Sequence, residues 1–178
     1  MEFENIEQAI TNSRCSEKIK FIEQNRSLCR KRLIQRTKTY IKYPNCWGTA
    51  AFILGAEKHF FERFHVSHRN GVIVLGNAET QSASFIPTDF NRPGHISLDH
   101  FSWFLENICK KVKSADHSVI VSTYNGKLLH SMIYIGRVCR EDYIYEQNGL
   151  DGQFKAEKLR EKINGYVKEL DENRTIHG

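Results

Sequence analysis

Cys46 has the sequence context of a nucleophile. The chain has five cysteines, at positions 15, 29, 46, 109 and 139, and no Cys-x-x-Cys pair, which fits neither a complete disulfide framework nor a zinc site. Cys46 lies in the segment Pro-Asn-Cys-Trp-Gly, where a helix is expected to begin. The N–H groups and the dipole at a helix N-terminus favour a thiolate. We therefore predict a thiol nucleophile at Cys46, with a packed core cysteine as the alternative.

A thiol nucleophile needs a base, and His130 is the candidate. An imidazole, whose ordinary pKa is about 6.5, takes a proton from a thiol near neutral pH and returns one to a leaving amine. His130 lies in the run Leu-Leu-His-Ser-Met-Ile-Tyr-Ile, which predicts a strand that can hold it rigidly. A strand histidine satisfied by a hydrogen bond is the better explanation of this residue taken alone. The combination with Cys46 favours a Cys–His pair.

Hydrophobic periodicity predicts helices in the first third of the chain. Apolar residues at helical spacing predict one helix over residues 2–11 and a second from Ile19 toward Thr39. Pro44 ends any helix before it, because the residue preceding a proline is driven out of the α region. A third helix is predicted from about Trp47 to Phe64, with Cys46 at its start.

The later segments predict an antiparallel sheet. Residues 71–76 predict a buried strand, followed by a polar loop over 77–96 and a helix over 98–113. The runs 117–123 and 128–135 are joined by Asn125-Gly126, which suits a type I′ turn, and they predict a β-hairpin. A short strand over 143–147 and a C-terminal helix from Leu159 to Leu170 complete the predicted fold class, which is α+β.

Two segments resemble the NlpC-type cysteine peptidases. Residues 45–51, Asn-Cys-Trp-Gly-Thr-Ala-Ala, are similar to the nucleophile segment of that family. The strand 116–122, the turn and the run His-Ser-Met-Ile-Tyr-Ile-Gly at 130–136 are similar to its histidine segment. The resemblance implies a papain-like fold, with N-terminal helices, an antiparallel sheet and the nucleophile at a helix N-terminus. It implies His130 rather than His117 as the base, and peptidoglycan peptides as the usual substrates of such proteins.

The resemblance also implies a polar third residue on the strand after the histidine, where it orients the imidazole. Aligning Ile144 and Tyr145 with the two apolar residues that precede this position in the family selects Glu146. Strand alternation places Gln147 on the opposite face, so that Gln147 is the second choice and Asn148 the third. A solvated carboxylate at a sheet edge explains Glu146 equally well.

Together these residues predict a cysteine hydrolase that cleaves an amide or isopeptide bond of a peptide-like substrate without a cofactor. Cys46 attacks the carbonyl, His130 protonates the leaving amine and then activates water, and Glu146 orients His130. Tyr43 and Trp47 are expected to form walls of the substrate cleft. Two alternatives remain open: acyl transfer or deamidation by the same covalent chemistry, and a non-catalytic binding module with the same fold.

The 178 residues, with a net charge of +5 and 40% hydrophobic residues, predict one domain. We divide it into an N-terminal helical region (residues 1–42), a catalytic core (43–149) and a C-terminal helix and tail (150–178). No membrane span and no signal peptide are predicted, so we expect a cytoplasmic protein or export that uses no Sec signal. The basic residues between 26 and 42 favour a solvated face over nucleic-acid binding. His59, His65 and His68 are not predicted to bind a metal.

Overall fold

The first half of the chain combines helices with two small antiparallel sheets. The structure, a computed structural model, describes residues 2–37, 40–77, 82–110, 117–148 and 152–165. Its first elements are helices α1 (Glu2–Asn12), α2 (Ser16–Gln24) and α3 (Arg26–Cys29), strands β1 (Ile34–Thr37) and β2 (Tyr40–Lys42), and helices α4 (Cys46–Leu54) and α5 (Lys58–Phe61). Strands β3 (Val66–Arg69), β4 (Val72–Leu75) and β5 (Ser84–Pro87) then form a three-stranded sheet.

The second half is dominated by a four-stranded antiparallel sheet whose strands follow one another in chain order. After helix α6 (Leu98–Asn107) come β6 (Ser118–Tyr124), β7 (Lys127–Val138), β8 (Glu141–Asn148) and β9 (Gln153–Lys158). Residues 159–165 are helical. The fold is therefore mixed α+β with antiparallel pairing. Within the described residues, no helix has both the length and the apolar character needed to cross a membrane.

The predicted hairpin is confirmed. Tyr124 pairs with Lys127 across the turn, and Asn125 and Gly126 both have positive φ angles, of 51° and 76°. This is the backbone that a type I′ turn requires, and an Asn-Gly pair adopts it at little cost. The hairpin fixes the direction of β7, which carries His130.

The prediction of one helix from Ile19 toward Thr39 is wrong. The chain leaves the helical path at Asn25, and α3 ends at Cys29. Residues 34–37 and 40–42 then pair as an antiparallel ribbon, with Ile34 opposite Lys42. The N-terminal region is therefore helical only as far as residue 29. The basic run that follows lacks a continuous apolar stripe, and its strands are held by pairing rather than by helical packing.

Three further boundaries differ from the predictions. The predicted helix over 47–64 is two helices, because Gly55 adopts a left-handed conformation (φ 65°) that ends α4. The predicted polar loop over 77–96 contains β5, and α6 ends at Asn107 rather than at 113. Strands β3 and β9 were not predicted. Of the predicted C-terminal helix, residues 159–165 are helical, and the rest lies outside the described residues.

Helix α4 lies in the middle of the hydrophobic core. All its residues from Trp47 to Ile53 are buried. It contacts β7 and β8, whose inward residues Ile133 and Tyr145 belong to the same core cluster. Close packing in the core restricts the movement of α4, so its first turn is a rigid support for Cys46.

Candidate active site

Asn45 fixes the start of α4 and therefore the position of Cys46. Its extended backbone makes it the N-cap, and its Oδ1 accepts hydrogen bonds from the N–H of Gly48 at 2.8 Å and of Ile96 at 3.1 Å. Its Nδ2 donates to the carbonyl oxygen of Ile96 at 2.8 Å. Asparagine is among the preferred N-cap residues, so the residue type itself signals the helix start. Cys46 is thus the first helical residue, beside backbone N–H groups that have no partner within the helix.

Gly48 allows α4 to approach the segment before α6 closely. A Cβ atom at this position would lie 1.8 Å from the carbonyl oxygen of Gly94. Gly94 is itself pressed against β5, where an added Cβ would lie 2.4 Å from the carbonyl oxygen of Phe85. No side chain fits at either contact, so both glycines are needed to bring α4, this segment and β5 together.

His130 stands between Cys46 and Glu146. Its Nε2 lies 2.7 Å from Glu146 Oε2, and its side chain also shares a hydrogen bond with that of Cys46. The Oγ of Ser131, the next residue on β7, donates to the carbonyl oxygen of Cys46 at 2.9 Å. The strand that carries the histidine is therefore attached directly to the first residue of α4.

Glu146 is a buried carboxylate and not a solvated edge residue. It is 1% exposed, and its second oxygen, Oε1, accepts a hydrogen bond from Lys162 Nζ at 2.9 Å. Lys162 belongs to the helical residues 159–165 and also donates to Asn148 Oδ1 at 3.3 Å. Sequence reasoning missed Lys162, because its position depends on β9, which was not predicted. Both oxygens of Glu146 thus have a cationic or polar partner.

The two buried groups hold each other in their charged forms. Burial alone would lower the pKa of His130, but hydrogen bonds to Cys46 and Glu146 and their negative charges raise it to about 9. Burial would raise the pKa of Glu146, but hydrogen bonds from His130, Glu157 and Lys162, together with the charge of Lys162, hold it well below its usual value. Burial and the neighbouring charge of Glu146 raise the pKa of Glu157. At neutral pH His130 is therefore an imidazolium beside the Cys46 sulfur.

Gln147 lies on the opposite face of β8 from Glu146, as alternation predicts, and it contacts α4. Its Nε2 donates to the carbonyl oxygen of Pro44 at 3.1 Å and of Gly152 at 3.2 Å. Its Oε1 accepts from Thr49 Oγ1 at 2.6 Å. Gln147 therefore holds the residues on both sides of Cys46 against the sheet. Sequence reasoning predicted it only as a second choice for the third site residue and missed this role.

A cavity of about 630 Å³ opens beside Cys46 and His130. Of the two predicted wall residues, Tyr43 lines it and is 52% exposed, whereas Trp47 does not line it. Trp47 is buried, with its ring centroid 5.0 Å from that of Phe101 in the core. The prediction for Trp47 is therefore corrected. The Trp47 side chain packs against Phe101 in the core and does not face the cavity.

The other four cysteines lie elsewhere. Cys15 and Cys29 are buried, Cys109 is half-buried and Cys139 is exposed. Burial raises the pKa of Cys29 to about 11 and also raises that of Cys109. Cys15 Sγ lies 3.1 Å from His117 Nδ1. Among the residues that the structure describes, no three His, Cys, Asp or Glu side chains are grouped as a metal site requires.

No protein-family model, curated protein or solved structure matches this chain. Its function is therefore inferred from the α+β fold and from the geometry of Cys46, His130 and Glu146.

Proposed function

We propose that this protein is a cysteine hydrolase with a papain-like fold of the NlpC type, and that it cleaves an amide or isopeptide bond. One observation carries the proposal: the buried His130 side chain hydrogen-bonds both Cys46 and Glu146, beside a cavity of about 630 Å³. A nucleophile, a base and a group that orients the base are the parts that covalent acyl transfer needs.

The proposed reaction has two steps. In the first, Cys46 Sγ forms a bond to the substrate carbonyl carbon, the C–N bond breaks, and the proton of the His130 imidazolium goes to the leaving amine. In the second, neutral His130 accepts a proton from water, whose oxygen forms a bond to the acyl carbon as the C–S bond breaks. Glu146 stabilises the imidazolium in both steps. The backbone N–H of Cys46 provides a donor for the oxyanion.

The order of the elements supports the finer fold assignment. The proposed nucleophile stands at the start of a helix in the core, the proposed base stands on the second strand of the later, four-stranded antiparallel sheet, and the third residue stands on the strand after it. This is the arrangement that the family resemblance implies. The same resemblance is the support for peptides of the cell-wall type as substrates.

Turnover of a peptide library tests this proposal. The protein is incubated with peptidyl aminomethylcoumarin amides and with γ-linked peptides in ¹⁸O-labelled water, and products are analysed by mass spectrometry. Hydrolysis places ¹⁸O in the new carboxylate, transfer to an added amine gives an unlabelled amide, and deamidation releases ammonia. We expect labelled carboxylate from the native protein and from the control Cys139→Ala, and none from Cys46→Ala. Equal product from the native protein and Cys46→Ala would overturn the proposal.

A further inference from the structure

A short helical segment after β9 packs on the face of the four-stranded sheet that carries Glu146. Residues 159–165 are helical, and Leu159 packs against a small hydrophobic cluster on this face that includes Ile144. Arg160 pairs with Glu141, at the start of β8, with 2.8 Å between Nη2 and Oε1. These two contacts attach the first turn of the segment to the sheet.

Lys162 is the residue of this segment that reaches the candidate site. It lies three positions after Leu159, which places both side chains on the same side of the helix. Its Nζ donates to Glu146 Oε1 at 2.9 Å and to Asn148 Oδ1 at 3.3 Å, and its side chain is 15% exposed. Because both groups are largely removed from water, this ammonium acts strongly on the carboxylate.

A second carboxyl group, that of Glu157, lies beside Glu146. Glu157 stands on β9 opposite Ile144, two positions from the residue opposite Glu146, so both carboxyl groups lie on one face of the sheet. Glu157 Oε1 is buried and accepts no hydrogen bond from the described residues. An ionised oxygen there would lack a partner, whereas a protonated carboxyl group donates to Glu146. The pair of carboxyl groups therefore holds one proton.

The neighbouring cations decide which of the two carboxyl groups keeps that proton. Glu146 has His130 Nε2 at 2.7 Å and Lys162 Nζ at 2.9 Å. Glu157 has Lys155, whose Nζ lies 3.3 Å away and whose side chain is 45% exposed. The cations act more strongly on Glu146, so the proton stays on Glu157 and Glu146 is ionised. Cys46 is the titratable group that contacts His130 from α4.

We propose that Lys162 is a positioning residue of the site, which keeps Glu146 rather than Glu157 ionised and thereby maintains the imidazolium of His130 beside Cys46. The helical segment 159–165 is then part of the site, although α4 lies on the other face of the sheet. This inference rests on the proposed function, because it uses Cys46 as the nucleophile.

The pH dependence of Cys46 alkylation by iodoacetamide tests this inference. In Lys162→Met the shared proton moves toward Glu146, so the imidazolium loses its counter-charge and less of Cys46 is thiolate. At about pH 6 we expect a rate about 3- to 30-fold below that of the native protein, because one pKa unit changes a protonation equilibrium about tenfold. At about pH 9.5 the thiol ionises without help from an imidazolium, so the two rates should agree within about twofold.

Three further variants separate the charge of Lys162 from its packing. Lys162→Arg keeps the charge and should keep most of the native rate at low pH. Arg160→Met removes a cation of the same helical segment whose partner is Glu141, and should leave the rate unchanged at both pH values. Lys162→Met/Glu157→Gln removes the second site for the proton, and its rate at low pH should return to within about threefold of that of Glu157→Gln.

The outcomes separate the two proposals. If Cys46 of the native protein reacts no faster than the other cysteines, the proposed function fails, and this inference fails with it. If Cys46 reacts fastest but Lys162→Met has the native rate at low pH, or an equal deficit at both pH values, the role of Lys162 is overturned and the nucleophile stands. A deficit confined to low pH that Glu157→Gln reverses supports the inference. Lys162→Gln, which is also uncharged, gives the same measurement if Lys162→Met does not fold.

Discussion

Two places among the described residues bring a cysteine and a histidine side chain into contact, and they are built in opposite ways. In one, Cys46 is half-buried beside a cavity, and His130 is 8% exposed and bonded to a buried carboxylate. In the other, Cys15 is 2% exposed within the core, and His117 is exposed at a turn with a positive φ of 66°. In the first pair the thiol is accessible and the histidine is buried, whereas in the second pair the thiol is buried and the histidine is exposed.

The difference leads us to expect different reactivity from the two pairs. A base needs a fixed orientation and charge. As the proposed base, His130 is held by Glu146, which is itself held by Lys162. A nucleophile must be accessible to substrate, and the cavity that Cys46 lines gives access to this proposed nucleophile. Cys15 does not line that cavity. We therefore expect chemistry from the pair at 46 and 130, and packing from the pair at 15 and 117.

Removing the thiol of Cys46 and removing that of Cys15 should give the largest difference in turnover. Cys46→Ala should lower amide turnover by more than about a thousandfold, because it removes the nucleophile. Cys15→Ala should leave turnover within about twofold and lower the free energy of unfolding by about 1 kcal/mol, because it removes a buried group from the core. Turnover assays and urea unfolding of both variants measure this contrast. A large loss of turnover in folded Cys15→Ala would contradict it.

Neutralisation of the carboxylate behind His130 should have the next largest effect. Glu146→Gln keeps the shape and one acceptor oxygen but removes the charge that stabilises the imidazolium, so turnover should fall about 10- to 1000-fold. The control is Glu157→Gln, which alters a carboxyl whose pKa is raised beside Glu146 and does not bond His130. Glu157→Gln should lower turnover less than Glu146→Gln, and the reverse order would show that Glu146 is not the orienting group.

Gln147 should have a smaller effect that acts through the position of Cys46. Gln147→Ala leaves Thr49 and the Pro44 carbonyl without their partner, which should lower the free energy of unfolding by about 1–3 kcal/mol. It should also slow Cys46 alkylation severalfold under conditions where the protein stays folded. Gln153→Ala, at an exposed position on β9, is the control. An unchanged alkylation rate in Gln147→Ala would limit this residue to a structural role.

The contribution of His130 to stability should depend on pH. The folded-state pKa of His130 is about 9, above its ordinary value of about 6.5, so its ion pair with Glu146 contributes fully below pH 6.5 and is lost as pH rises through 9. The free energy of unfolding lost in His130→Gln should therefore be larger at pH 6 than at about pH 9.5. Urea unfolding at both pH values measures the difference. Equal losses of unfolding free energy in His130→Gln at the two pH values would show that the ion pair does not contribute to stability.

Local sequence signals predicted the features of the site that depend on neighbouring residues. Pro44 and the apolar spacing after it indicated where α4 begins, and Asn125-Gly126 indicated the hairpin that carries His130. Alternation along β8 separated Glu146 from Gln147. Each of these rules acts over a few residues, so no knowledge of the packing was needed.

The features that the sequence did not predict depend on packing between distant segments. Trp47 was expected to face the cavity, but α4 is buried on every side from Trp47 to Ile53, and periodicity cannot assign an exposed face to such a segment. Lys162 reaches Glu146 only because β9 brings the following helical residues back over the sheet, and β9 has little apolar content to signal it. Arg30 enters the cavity wall because α3 ends where the predicted helix was expected to continue.

The most direct test is the alkylation rate of all five cysteines in the native protein, measured by iodoacetamide labelling and peptide mapping near neutral pH. Cys46 should react at least about tenfold faster than Cys15, since it combines access with an imidazolium and a helix N-terminus. It should also outpace the exposed Cys139, and His130→Ala should slow Cys46 alone. Equal rates at Cys46 and Cys139, or a Cys46 rate that His130→Ala leaves unchanged, would contradict the assignment of Cys46 and His130 as nucleophile and base.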